Sequence, residues 1–401
     1  LLSVQPAMAS KASTHTDSAD PYKKQRTVFL KAESALKKKQ TKTFKKYYKT
    51  LDGYPLQSYL KYKQYRQSLA QQSEPQILTF IEQYQDTPYA EWLRVAWLDR
   101  MAKKERWQQY INAYAPQTSA KRRCQYLNAL IKTGEKEKAF AQVPDLWLVG
   151  ESQPRSCDPV FNAFKQAGKM TPKLLTDRIK LAMKKGRTSL TSYLARSLNK
   201  TDQKWIKEWI RIYRKPALVL KSELLKQQHP LKKSIQVHAV ERMARRQPEA
   251  AIKLVTTLEQ DTQFSLQEQA RMYRAIGMKF AYKHKNGAWE WLDKINDEFS
   301  DETVREWRAR SAIREDNWPA IASAINRMPE EEQKDFRWQY WLASSKEQQG
   351  DEKGARQDFY KMASNRSYYS FLAADKMDMP YEFQNKPLDP PQVTLDKVAN
   401  N

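Results

Sequence analysis

The sequence predicts an all-α protein built as a stack of helix hairpins, and three observations predict it. The 401 residues include only 9 glycines, are rich in Ala, Leu, Lys, Gln and Arg, and contain few alternating Val-Ile-Thr runs. The abundant types are good helix formers, and the missing alternation is the mark of strands. Apolar residues recur at i, i+3, i+4 and i+7 through most of the chain. The helical runs also come in pairs, broken by Gly or Pro, and the pairs repeat in a degenerate way. A chain of this length suffices for one large core or for an extended row of smaller ones.

Taken in order, residues 1–9 (LLSVQPAMA) end in Ala7-Met8-Ala9, an Ala-x-Ala type cleavage site before Ser10. They read as the remnant of a secretory signal peptide cleaved after Ala9. Residues 10–20 are small and polar, the composition of a flexible leader. A first helix is expected from near Pro21. Residues 35–50 then hold seven lysines and no acid, with Leu36, Phe44, Tyr47 and Tyr48 as the apolar positions. Gly53-Tyr54-Pro55 makes a turn into a helix carrying Leu56, Tyr59 and Leu60. Thr87 is placed as an N-cap with Pro88 at the first helical position. Tyr89, Trp92, Leu93, Ala96, Trp97 and Met101 follow as one apolar face, and Trp107, Ile111 and Tyr114 begin its partner.

The second half of this unit returns later in the chain. Tyr126-Leu127-Asn128-Ala129 precedes Gly134 and Ala139, and Tyr340-Trp341-Leu342-Ala343 precedes Gly350 and Ala355. The hairpin from Arg337 places Trp338, Trp341, Leu342 and Ser345 on one face, breaks at Gly350-Asp351, and continues through Ala355, Phe359 and Met362. Small residues where two helices approach give it a tetratricopeptide-like character. From Thr171 to about Phe299 the helical pattern continues through turns at Gln247-Pro248-Glu249 and Gly287. After Pro380 the chain is proline-punctuated and polar, and residues 382–401 are expected to be an extended linker.

Three stretches carry a resemblance to a known family. They are Tyr54-Pro55-Leu56-x-x-Tyr59-Leu60-x-Tyr62, then Leu146-Trp147-Leu148-x-Gly150-x-Ser152-Gln153-Pro154-x-x-Cys157-Asp158, and the run from Trp338 through Tyr368-Tyr369-x-Phe371-Leu372-Ala373-Ala374-Asp375 to Pro380-Tyr381. Together they resemble the N-terminal superhelical U-shaped domain of the soluble periplasmic lytic transglycosylases, over about residues 21–381. The resemblance implies a superhelix curved into a U or ring, followed in the family by a small linker domain and a lysozyme-like catalytic domain. It also implies that the whole enzyme cleaves the glycosidic bond after N-acetylmuramic acid in peptidoglycan (murein) during cell-wall turnover.

The chemistry of that reaction needs a carboxyl kept protonated near neutral pH by an apolar cleft. In the family it lies in a Glu-Ser motif, with Gly-Leu-Met-Gln and Ala-Tyr-Asn-Ala-Gly segments after it. Neither later segment occurs in these 401 residues. Glu151-Ser152 and Glu33-Ser34 are Glu-Ser pairs without that support, so no catalytic residue is assigned and the chain alone is expected to be inactive, its catalytic domain missing. His15, His229, His238 and His284 show no metal-ligand spacing, with each other or with the cysteines, and no glycine-rich phosphate loop occurs. No metal or cofactor is expected. His238 reads as a packed or solvated histidine.

Charge and cysteine use bound the surroundings. The formal net charge is +25, which suits an acidic polymer, an anionic membrane face or nucleic acid, but no nucleic-acid-binding motif accompanies it. No stretch is long and apolar enough to span a membrane. The cysteines are two, Cys124 and Cys157; in an exported chain an even pair is expected to be oxidised to a disulfide, the alternative being two buried thiols. The expected setting is the periplasm, as a monomer, with weak electrostatic binding of peptidoglycan glycan strands. The rival is a non-enzymatic helical-repeat adaptor that holds a protein partner in its concave face.

Overall fold

In the computed structural model residues 22–385 and 388–399 are described. The signal remnant 1–9 and the leader 10–20 lie outside the described residues, as do 386–387 and 400–401 of the linker. Among the described residues there are 24 α-helices, four short 3-10 helices and no strand, so the all-α reading holds. Helices contact their successors, and often the next helix but one, as a stack of hairpins requires.

The chain forms two compact units. Of the described residues, one comprises 22–146, 153–169 and 388–399, the other 147–152 and 170–385. In the first, a core of Leu93, Trp97, Leu98, Tyr110 and Ala129 is built from helices Pro88–Lys103, Trp107–Ala113 and Ala120–Lys132. Thr87 occupies the N-cap, but its hydroxyl donates back to the Tyr84 carbonyl at 2.8 Å instead of accepting from the helix. Trp92 has the spacing of the buried stripe and is nevertheless half exposed, lying 5.5 Å from the Tyr89 ring and 5.7 Å from the Tyr62 ring.

In the second unit, helix Phe336–Gln348 buries Trp338, Ala343 and Ser345, and Ser345 Oγ donates to the Trp318 carbonyl at 2.6 Å. The turn that follows uses both residues that the sequence marks. Gly350 takes a left-handed φ of 92°, and the Asp351 carboxylate accepts from Gly354 N at 2.9 Å to start helix Glu352–Ala363. Ala139 and Ala355, each five residues past its glycine, are both fully buried at the helix approach. Arg308, 1% exposed, caps a neighbouring turn: its guanidinium donates to the Leu292 and Ile295 carbonyls and to Asp297. Carbonyls at the end of helix Ala288–Asp293 thus find the donors that the helix itself lacks.

The tail departs from the expected extended linker. Residues 380–385 are without regular structure, but Gln392–Ala399 is a two-turn helix whose residues are all exposed. The physical reason is local. The prolines end at Pro391, whose carbonyl accepts from Thr394 N at 2.7 Å, and the stretch after it contains no proline to interrupt a helix.

Candidate functional site

The Leu146–Asp158 motif folds around one close contact. Gly150 lies so near the Leu181 carbonyl that a Cβ there would meet its oxygen at 2.6 Å, which accounts for the glycine. Trp147 Nε1 donates to the Leu174 carbonyl at 3.1 Å, and the Arg178 guanidinium stacks 4.1 Å from the Trp147 ring centroid. Arg178 Nη2 also donates to the Glu151 carbonyl at 3.2 Å. These contacts tie residues 147–151 to helix Pro172–Lys184.

Its carboxylate is in the wrong electrostatic state for a glycosidic acid. Glu151 Oε1 lies 3.4 Å from both Arg187 and Lys185, and these cations hold the carboxyl below the usual carboxylate range. A general acid needs the opposite displacement. Glu33 is ion-paired with Lys37 at 3.3 Å and accepts from Tyr59 Oη at 3.4 Å. Neither Glu-Ser pair lines an apolar acid site.

Cys124 and Cys157 are joined as a disulfide, with Cα atoms 4.8 Å apart and both residues fully buried. It ties the short 3-10 turn Arg155–Cys157 to helix Ala120–Lys132. Among the described histidines, His229 pairs with Asp202 at 3.0 Å and stacks on Trp205, while His238 is buried and accepts from Trp209 Nε1 at 3.0 Å. Among the described residues no group of three or more His, Cys, Asp or Glu side chains gathers to hold a metal.

The lysines of 35–50 are all exposed, on and after helices Lys23–Lys37 and Thr41–Tyr48, around the buried Phe44. A second cationic surface was not singled out from the sequence. Helix Lys200–Arg214, N-capped by Asn199 accepting from Asp202 N at 2.8 Å, buries Trp205, Ile206, Trp209 and Ile212. Its other face carries Lys204, Lys207, Arg211 and Arg214, spaced 3, 4 and 3 residues apart, which is one line along a helix. That line borders a groove of about 830 Å³ also lined by Ala195, Arg196, Leu218 and Leu224. The groove has one carboxylate, Glu208, already committed to Arg211 and the Ser222 hydroxyl, and Arg211 holds it below the usual carboxylate range. The signal was present in KWIKEWIRIYRK, where cations and apolar residues alternate at complementary helical spacings. It was obscured because lysines are scattered along the whole chain.

Comparison with known proteins agrees with the motifs. The soluble lytic murein transglycosylase of Escherichia coli K12 is 26% identical over 373 residues, covering 91% of this chain. This chain is similar to the soluble lytic murein transglycosylases. The Salmonella typhimurium LT2 protein of that name is 24% identical over 370 residues, covering 92% of the chain. The chain spans 57% of the length of these relatives, a partial coverage that fits their N-terminal superhelical portion. Among solved structures, an inactive mutant of the lytic transglycosylase Slt from Pseudomonas aeruginosa matches with a TM-score of 0.79 and 28% identity, over 93% of this chain and 61% of that one. The 70 kDa soluble lytic transglycosylase of E. coli shares the fold with a TM-score of 0.73 at 24% identity, over 94% and 62% of the two chains. No protein-family model matches the chain.

Proposed function

We propose that this chain is the superhelical scaffold of a murein lytic transglycosylase and takes part in cell-wall turnover by holding glycan strands for the reaction. The observation that carries the reading is the match along nine tenths of the chain to proteins named for that activity, reinforced by the three motif stretches. On this reading residues 21–381 correspond to the superhelical domain of the family, and 382–401 lead toward its linker and catalytic regions. The catalytic glutamate comes from outside these 401 residues. The scaffold contributes a cationic wall of dispersed contacts, supported by the exposed lysines of 35–50 and the formal charge of +25. The periplasm is the proposed location, with the signal-like start and the Cys124–Cys157 disulfide in its favour. No described helix is long and apolar enough to cross a membrane.

Incubation of the 401-residue chain with purified murein sacculi tests the division of labour. The chain is expected to sediment with sacculi at low salt while releasing no anhydro-muropeptides. Failure to sediment removes the scaffold role. Products that vanish in Glu151→Gln would instead make Glu151 the acid, against its ionised, cation-paired state.

A further inference from the structure

The groove beside helix Lys200–Arg214 combines features that a solvated surface does not need. Lys204, Lys207, Arg211 and Arg214 lie along one edge, over a span of about 15 Å at the helical rise. Lys204, Lys207 and Arg214 have no carboxylate partner within the groove, because its only acid, Glu208, is held by Arg211 and Ser222. The floor beside them is aliphatic, from Ile210, Leu218 and Leu224. Like charges 5–6 Å apart along a helix repel one another, so the row is relieved by an anionic partner.

We propose that this groove docks an acidic–aliphatic segment of a partner protein in extended conformation. In an extended chain successive side chains point to opposite sides, and four or five residues at about 3.3 Å each span the cationic row. Carboxylates at alternate positions then meet the lysine and arginine edge, and the intervening Leu- or Val-sized side chains enter the aliphatic floor. The floor favours this occupant over nucleic acid. It offers no aromatic face on which nucleic-acid bases stack. The inference goes beyond the scaffold reading and does not depend on it.

The test is titration calorimetry of the full 401-residue chain with a blocked Glu-Leu-Glu-Leu-Glu-Leu peptide. Binding is expected, weakened at least tenfold when glutamines replace the glutamates, and at least tenfold when serines replace the leucines. The double reversal Lys207→Glu with Arg214→Glu lies on the exposed helix face, and it is expected to abolish binding with unchanged helical circular dichroism. Should that variant misfold, carbodiimide coupling on the unaltered chain decides instead. A cross-link from peptide glutamate to Lys204 or Lys207 supports the groove, and a link only to lysines of 35–50 overturns it. Equal binding of the serine peptide, of an Ala-Glu-Ala-Glu-Ala-Glu peptide standing in for murein peptides, or of a short single-stranded DNA also overturns it. Peptide binding by an unaltered chain that fails to sediment with sacculi removes the scaffold reading and leaves this one, and sedimentation without peptide binding does the reverse.

Discussion

At His238 a single buried imidazole links packing to pH. Trp209 donates to its Nδ1, Tyr213 lies 5.3 Å away, and Arg271, Arg242 and Arg245 surround it. Burial first, then those three cations, push its pKa down to about 3, so the folded chain holds it neutral where the unfolded chain, titrating near 6.5, binds a proton. Between those values the unfolded state binds more protons, and stability therefore falls as pH drops below about 6.5, by a few kcal/mol in all. Thermal unfolding from pH 7 to pH 4 checks this: His238→Gln should flatten the decline, and an unchanged slope would show that carboxylates alone cause it. The disulfide is the other residue-scale determinant. Its 33-residue separation corresponds to about 3.5 kcal/mol of loop-closure entropy. Thiol titration of the unfolded, unreduced protein should find none, and replacing both cysteines with serine should lower stability by about 2–4 kcal/mol. The cysteine pair was legible because two cysteines in an export-like chain admit few fates. The histidine's partner was not, since Trp209 lies 29 residues away and only packing brings it within hydrogen-bond reach.

The helices themselves were legible where punctuation and periodicity agree. Pro248 opens helix Pro248–Asp261, and Gly287, at a φ of 81°, precedes helix Ala288–Asp293, as the turns at those points predict. Errors fall where a stretch was judged by its overall composition, as with the helix hidden in the polar tail after Pro391. Close approach between helices is equally invisible in the periodicity. Gly277 sits in the middle of helix Leu266–Tyr282, where alanine has the higher helix propensity by about 1 kcal/mol. A Cβ there would, however, meet two side-chain atoms of the fully buried Leu292 at 2.8 Å and its backbone N at 3.2 Å. Leu292 has no room to retreat, so the overpacking outweighs the propensity gain. Gly277→Ala is expected to lower the unfolding temperature and Gly277→Val to lower it further, by about 2–4 kcal/mol in free energy. An unfolding temperature raised by the alanine would show that the contact yields.

Across the whole molecule the charge of +25 was plain in the sequence, but its distribution was not. The 35–50 cluster is contiguous and so could be read directly, whereas the row on helix Lys200–Arg214 exists only once the chain is helical. Of the seven lysines in 35–50, Lys37 is engaged by Glu33, and all seven side chains are exposed. Exposed contacts of this kind are each worth less than about 1 kcal/mol and are screened over about 8 Å at physiological ionic strength. Retention on sacculi is therefore expected to be a sum of weak terms. It should fall steeply through a salt series, change little in any one Lys→Ala variant of the cluster, and disappear when Lys38, Lys42, Lys45 and Lys46 are reversed together. Peptide capture in the groove adds apolar burial to its charge pairs, so it should weaken with salt less steeply than retention on sacculi. Co-sedimentation across the series separates the two: retention that holds at high salt, or survives the four-fold reversal, would mean that the cationic wall does not carry murein binding.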